Sequence, residues 1–507
     1  MTLQFHNTLT GEIDKFESIV PGKVSIYTCG PTVYDYPHIG NWVAYIYWDT
    51  LVRVLMANDY DVTRVMNITD VGHLVSDADE GEDKLEKGAR REGKTAWEVA
   101  KFYTNDFLNG MKQLGLVTPQ FIAKATDYIP DQIKLVQKLV DKGYTYQIDD
   151  GIYFDTSKFP TYADFAHLNL DAQKAGARVE FNQQKRNASD FALWKFTPAG
   201  EKRDMEWLTP QEILEDGKWN MEDGKSQSIA NSQIPIANSQ RMGFPGWHIE
   251  CSAIAMSILG ETLDIHTGGI DHIPVHHTNE IAQSESATGV IFSNYWLHNN
   301  HLKVNNTKIS KSLGNGYTLK DLQEKGYSPL DFRLFVLQSN YRKEGNFTFD
   351  NLQSAKNRLH NWRNIAALRH QIHDTLQSEA ERAKDDKTIS LLATSQAIIE
   401  ALNDDLGTPQ ALKIIDEAFA RITRSSLSRV DRQSLIQLLE TIDSTLGLQL
   451  IDSTPDISDE EKKILLLRKS ARERKDWDKS DELRDELLKL DVIIRDTNSE
   501  TVWEYKI

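Results

Sequence analysis

The sequence predicts an α/β fold in which a parallel sheet is split by an inserted domain and is followed by a helical bundle and a small α+β domain. Three observations carry that expectation. Strand, turn, helix and strand follow one another between Lys23 and Ile68; such a βαβ unit implies a parallel sheet with its ligand site at the C-terminal ends of the strands. A second run of sheet-and-helix pattern starts at Gly246, after a long stretch of mixed pattern. Beyond about Asn361 helical periodicity dominates until two short strand-like runs, VIIRD and TVWEY, close the chain. At 507 residues the chain exceeds what one core can hold, so several domains are expected.

The elements follow in order. Lys23–Thr28 (KVSIYT) alternates and is rich in β-branched and aromatic residues, and it runs into the turn CGPT. After HIGN, the apolar-periodic stretch from Trp42 to Met56 reads as a helix, and Asp61–Ile68 as the second strand. The unit has no G-x-G-x-x-G, so a dinucleotide site of the usual kind is not expected. Gly151–Asp155 is a short strand within the insertion. Ser226–Gln240 contains IANSQ twice, too few copies for a solenoid, and reads as a polar surface loop. Trp247–Leu259 is helix-like, Thr262–His266 a strand, and Pro274 opens another helix. The units are placed at 1–115 and 246–320 for the two halves of a Rossmann-like domain, 116–245 for the insertion, 321–365 and 366–455 for the helical parts, and 456–507 for the terminal unit.

Composition is that of an ordinary globular protein, 40% hydrophobic and 26% charged. No apolar run is long enough to span a bilayer, and polar residues interrupt the N-terminus, so a cytoplasmic location is expected. Two cysteines, Cys29 and Cys251, exclude a disulfide framework. The net charge of −17 argues against indiscriminate nucleic-acid binding. The basic run Arg468–Lys475 (RKSARERK) taken alone reads as a solvated helix face.

Two constellations carry chemistry. In DHIPVHHTNE (Asp271–Glu280), Pro274 suits a first helical turn. His276 and Glu280, four apart, then share one face, while His272 precedes the helix and His277 lies about 100° away. That pair alone is a weak metal signal. Cys29 ends the first strand and Cys251 lies in the helix opening the second half; if both halves build one sheet, two thiolates, an imidazole and a carboxylate make a tetrahedral zinc site. The second constellation concerns phosphate. PHIGN (Pro37–Asn41) lies at a helix N-terminus, where Gly40 permits close backbone approach and His38 can donate to an oxygen. KISKSLGN (Lys308–Asn315) offers two lysines as mobile point charges for a triphosphate.

HIGN followed by KISKS resembles the paired signatures of class I aminoacyl-tRNA synthetases. The surrounding YTCGPTVYDYPHIGN, NITD (Asn67–Asp70), DFALWK (Asp190–Lys195), GWHIECSA (Gly246–Ala253), HTGGIDHIPVHHTNEIAQSE and the terminal KDWDKSDELRDELLKLDVIIRD are similar to cysteinyl-tRNA synthetases over nearly the whole chain. The resemblance implies an ATP-dependent ligation of L-cysteine to tRNA(Cys) by a monomer. It implies one Zn2+ on Cys29, Cys251, His276 and Glu280, and Mg2+ accompanying ATP. It assigns Thr69, Trp247 and His266 to the cysteine pocket. His38, Gly40, Asn41, Asp271, Lys308 and Lys311 go to ATP, with His38, Asn41, Lys308 and Lys311 also catalytic. Arg472, Trp477, Asp481 and Asp496 go to the tRNA anticodon. Residues 1–115 and 246–320 become the catalytic domain, 116–245 a connective insertion, 321–365 a stem-contact region and 456–507 an anticodon-binding domain. Asn41 stands where the family's second signature histidine is usual, Ile309 where methionine is, and Thr278 where glutamate is common. Competing expectations are a cysteine ligase acting on a small amine, a zinc-dependent hydrolase and a non-catalytic RNA-binding protein.

Overall fold

The computed structural model describes residues 2–72, 83–168, 182–214, 241–310, 313–372, 389–425, 427–496 and 501–506. The IANSQ copies lie outside them.

Five strands form the central sheet: β1 (Lys23–Thr28), β2 (Asp61–Ile68), β3 (Phe121–Lys124), β4 (Leu263–Gly269) and β5 (Ser293–Asn299). Their spatial order is β5-β4-β1-β2-β3, and every neighbouring pair is parallel. Strand order reverses between β1 and β4, and a doubly wound sheet opens a crevice at the C-terminal ends of the strands at such a point. Both β1 and β4 are therefore positioned to hold a ligand, although the whole insertion separates Thr28 from Leu263 in sequence. The sheet extends past the boundary expected at residue 115, because β3 pairs with β2 through Val65–Ile68.

Helix α1 (Ile39–Ala57) connects β1 to β2. It is buried on nearly every face, which explains its uninterrupted aromatic and aliphatic content. Trp42 stacks on Phe107 at a centroid distance of 5.1 Å. Helix α2 (Ile249–Leu259) leads into β4, and α3 (Thr278–Thr288) leads into β5. Before α3 the chain makes a π-turn over Ile273–His277, so the run from Pro274 is not α-helical throughout.

The inserted unit is a second, antiparallel sheet built from Thr145–Ile148, Gly151–Phe154, Phe191–Phe196, Met242–Pro245 and Trp207–Leu208. Its strand Met242–Pro245 passes directly into α2 through Gly246. A Cβ there would lie 1.9 Å from the Ala192 carbonyl oxygen, so only glycine fits the crossing. Beyond β5 the chain becomes helical, and the bundle includes Phe349–Ala367, Leu392–Asn403, Thr408–Thr423 and Arg432–Leu446. The terminal unit comprises α4 (Asp459–Glu473), α5 (Trp477–Lys489) and the antiparallel pair β6 (Val492–Asp496) and β7 (Thr501–Tyr505). It docks on the bundle through two hydrogen bonds exchanged by Gln371 with the Trp503 backbone, at 2.9 and 3.0 Å. No helix among the described residues is long and apolar enough to cross a membrane.

Candidate metal and nucleotide site

The crevice at the strand-order reversal collects the chemistry. Cys29 leaves β1 and bonds through its N–H to the Thr267 carbonyl of β4. Cys251 projects from the first turn of α2, His266 lies on β4, His276 is the next-to-last residue of the π-turn and Glu280 lies in the first turn of α3. Ligand atoms of Cys29, Cys251, His276 and Glu280 all lie within 4.8 Å of one another. The fold thus brings both thiols to the His–Glu pair.

The two oxygens of Glu280 have separate partners. His266 Nε2 is 2.6 Å from Oε2, and His276 Nε2 is 2.6 Å from Oε1. The second contact lacks hydrogen-bond geometry, which leaves Oε1 a buried acceptor without a hydrogen-bond donor. A nitrogen and an oxygen that close without a bonding proton fit two donors aimed at a shared cation. Burial pushes the Glu280 carboxyl up, but the His266 and His276 imidazoles outweigh it and hold it well below the carboxylate range. The Cys251 thiol is pushed well above its ordinary value by its bond toward Cys29 and by burial. Two soft sulfurs, an imidazole and a carboxylate fit zinc better than magnesium or calcium.

Outside these four groups, a shell orients them. His248 Nδ1 lies 2.9 Å from His276 Nδ1, which fixes that ring and leaves Nε2 for a metal. His266 stacks on Trp296 at 4.4 Å. The helical reading turned His277 away from the site, and the π-turn corrects it. The widened turn lets two consecutive imidazoles, both buried, face the crevice. His277 Nε2 lies 3.4 Å from Cys29 Sγ, and Cys29, His266, His277 and Glu280 form a second, overlapping donor set. Its Nδ1 meets His298 Nε2 at 2.7 Å, and His298 Nδ1 meets Thr8 Oγ1 at 2.7 Å. The sequence alone does not mark His248 or His298 as members of the site. The only signal for His248 is its position three residues before Cys251.

The expected pocket residues border this cluster. Thr69, at the end of β2, donates to Glu250 Oε2 at 3.1 Å and accepts from Asn67 at 3.0 Å. The Trp247 ring lies 5.0 Å from that of His276. Asp271 is exposed in the turn after β4.

The phosphate motifs also meet. His38 and Asn41 close a capping box on α1: His38 Nδ1 accepts from the Asn41 N–H at 3.3 Å, and Asn41 Oδ1 accepts from the His38 N–H at 3.0 Å. Asn41 therefore holds the helix end with its oxygen and keeps its amide N–H groups to donate. Ile309 of the second motif lies against this turn, and beyond the motif the Ile39 N–H bonds to the Tyr317 carbonyl at 2.7 Å. Asn315 staples the loop by bonds to Ser310 N–H and the Lys308 carbonyl. Lys308 is exposed at this edge; Lys311 lies outside the described residues. A Cβ on Gly40 would stand 2.8 Å from Ile309 Cδ1 and 3.0 Å from His38 Cε1. Gly40→Ala is expected to wedge the two motifs apart and to lower ATP–pyrophosphate exchange about tenfold, with the melting temperature shifted by only a few degrees; unchanged exchange would show that the motifs need not touch.

At the far end, Trp477 is 56% exposed with the Arg472 guanidinium 5.8 Å from its ring, and Asp481 is exposed on α5. Asp496 is engaged within the terminal unit itself. It accepts from Arg468 at 2.7 and 3.1 Å, from Arg472 at 2.9 Å and from Thr501 at 2.7 Å. The Arg468 bonds lead in holding its carboxyl down at about 2. Because the folded value lies below the ordinary 3.8, its contribution is full above about pH 4 and disappears as pH falls to about 2. Asp496→Asn should destabilise the terminal hairpin at pH 7, and the difference from the unaltered chain should close over that acidic window. Urea unfolding followed by tryptophan fluorescence checks this.

A parallel sheet reversing at β1 and β4, split by an insertion and flanked by HIGN and KISKS, is the architecture of a class I aminoacyl-tRNA synthetase. Solved structures agree. A methionyl-tRNA synthetase of Mycobacterium tuberculosis bound by methionyl-adenylate superposes with a TM-score of 0.53 at 15% identity, covering 88% of this chain and 94% of that one. The LeuRS of Agrobacterium radiobacter K84 gives 0.56 at 14% identity, covering 87% of each chain. The family described as tRNA synthetases class I (C) catalytic domain matches residues 15–236 and 228–357, and the cysteinyl-tRNA ligase anticodon binding domain matches 454–503. The cysteine–tRNA ligase of Treponema denticola is 39% identical over 99% of this chain and all of its own length. Cysteine–tRNA ligase 1 of Burkholderia lata is 38% identical over 96% of this chain and 93% of its own. The chain belongs to the cysteine–tRNA ligase family of aminoacyl-tRNA synthetases.

Proposed function

We propose that the chain activates L-cysteine with ATP and transfers the cysteinyl group to the 3′ end of tRNA(Cys), with zinc held by Cys29, Cys251, His276 and Glu280. The convergence of those four donors within 4.8 Å at the strand-order reversal carries this reading. When bound, zinc supplies a soft Lewis acid that prefers a thiolate to an alcohol. Selectivity of that kind is needed because a shaped apolar pocket separates near-isosteres only about 100-fold.

The protein's own groups do the rest. Thr69, Trp247 and His266 enclose the amino acid. His38, Gly40 and Asn41 at the α1 N-terminus, Asp271, and Lys308 with Lys311 hold ATP and its Mg2+. The cysteine carboxylate oxygen attacks the α-phosphorus, the bond to the bridging oxygen breaks, and pyrophosphate leaves beside the lysines. A ribose hydroxyl of tRNA then displaces AMP from the carbonyl carbon. Positioning and charge stabilisation are sufficient for both steps, without a protein nucleophile. Arg472, Trp477 and Asp481 read the anticodon, with Asp496 orienting Arg472.

Cysteine-dependent ATP–pyrophosphate exchange tests activation. Exchange is expected with cysteine, and serine should reach less than about one part in a thousand of that rate because it lacks the soft donor. Equal exchange with serine would remove the metal from the specificity argument. Charging of tRNA(Cys), lost on truncation before Asp459, separates this enzyme from a ligase for small amines.

A further inference from the structure

We propose that an aromatic and basic rim beside the HIGN loop receives the single-stranded 3′ end of the tRNA acceptor arm. The inference rests on the tRNA-ligase reading above and names a surface that the reading leaves open.

Tyr36 stands two residues before His38 and is 47% exposed; Phe102 is 43% exposed. Their rings meet edge to face at 6.1 Å. Both also pack against buried Tyr103 at 5.1 Å, so the pair is held rigidly at the surface. Lys94 Nζ lies 4.9 Å from the centre of the Phe102 ring. Helix Lys84–Glu92 seats against the same loop at Gly88, where an added Cβ would lie 3.4 Å from the Tyr34 carbonyl oxygen. Lys87 and Arg90 are exposed on it. The rim continues to the inserted unit, where the Ala96 N–H donates to Asp204 Oδ2 at 2.8 Å and Trp97 Nε1 to the Asp204 carbonyl at 3.0 Å.

Charge and chemistry choose the occupant. Between Lys87 and Lys101 five basic residues stand against two acidic ones (Glu92 and Glu98), in a chain whose net charge is −17. A local reversal of sign beside paired, exposed aromatics suits a polyanion that also offers flat apolar faces. Single-stranded nucleic acid has both, whereas a duplex keeps its bases stacked and hidden. A protein partner would favour an apolar patch depleted in lysine. Position supplies the last step. The acceptor ribose must reach an adenylate held at the α1 N-terminus, and Tyr36 lies on the loop that leads there.

The test uses the full chain with tRNA(Cys) and with a minihelix of its acceptor stem. Phe102→Ala should raise KM for both substrates about tenfold through lost stacking, and Phe102→Trp should restore it. Lys94→Ala, a surface change that leaves the fold alone, should raise both KM values severalfold. Lys87→Ala with Arg90→Ala should lower the slope of log KM against log salt by about one per residue. Cysteine-dependent exchange should be unchanged in every variant. Unaltered KM values, or a rise seen with tRNA but not with the minihelix, would overturn the assignment. Loss of exchange in Phe102→Ala that Phe102→Trp does not restore would also overturn it. If the unaltered chain shows no exchange with cysteine, the ligase reading itself fails, and that failure is distinct because no variant is involved.

Discussion

Cys251→Ala is expected to empty the site of zinc and to reduce cysteine-dependent exchange by more than about 100-fold. Changes to groups that only orient ligands already cost about 10- to 100-fold in affinity, and this change removes a ligand. Cys251 is 2% exposed on α2 and, with Cys29, supplies the only sulfur donors of the cluster. Without it, three donors remain to hold the metal. The loss should appear in KM for cysteine as well as in rate, whereas KM for ATP stays near its starting value, because the HIGN and KISKS contacts do not involve Cys251. His248→Ala gives an independent check of the same geometry. The His276 ring loses its 2.9 Å partner, and zinc affinity should fall about 10- to 100-fold. The sign of the pH dependence follows from the thiol. Cys251 is pushed above its ordinary value and is protonated at neutral pH without metal, so uptake releases protons and strengthens as pH rises. Metal analysis of the purified variant and chelator competition measure both effects. An unchanged metal content in Cys251→Ala would remove this residue from the site.

Much of this arrangement is legible in the sequence because local pattern and global topology agree. KVSIYT and DVTRVMNI become strands at the predicted bounds, since β-branched content, alternation and flanking turns all favour the same state. The four donors can be nominated because the chain has only two cysteines, Cys29 ending the first strand and Cys251 lying in the helix that opens the second half of the same sheet. What the sequence conceals is non-local. Strand β3 is four residues long with little pattern of its own, and only its pairing with β2 places it in the sheet. His277 looks displaced from His276 under α-helical geometry, and nothing in IPVHH announces a π-turn. His248 and His298 are single imidazoles on a helix N-terminus and a strand, meaningful only once β5, α2 and the π-turn are packed together. Asp496 looks available for recognition until Arg468, 28 residues earlier, is seen bonded to it.

Asp49→Ala should cost about 3–5 kcal/mol of stability, the range found when one partner of a buried ion pair is removed. Asp49 lies on α1 and is fully buried. Its Oδ2 accepts from Arg53 Nε at 2.7 Å and from Arg333, while Oδ1 accepts from the Val117 N–H at 2.6 Å. Arg333, also fully buried, reaches the Leu446 carbonyl at 2.7 Å and the Leu114 carbonyl at 3.0 Å. Arg53 bonds the Gly115 carbonyl at 2.7 Å and the Ser444 carbonyl at 3.1 Å. One carboxylate thus bonds two guanidiniums that tie the helix bearing HIGN to the segment entering β3 and to the end of helix Arg432–Leu446. Burial pushes the Asp49 carboxyl up, but Arg333 and Arg53 more than offset it and hold it below the usual range. Removing the carboxylate strands the Arg333 charge in the interior, whereas removing both charges does not. Asp49→Leu combined with Arg333→Met should therefore be less destabilised than the sum of the single changes, with a coupling of roughly 1–3 kcal/mol. Urea midpoints of the four proteins in that cycle give the answer. Additive losses would mean that the residues act through packing alone, and a loss below about 1 kcal/mol for Asp49→Ala would mean that water reaches the pair.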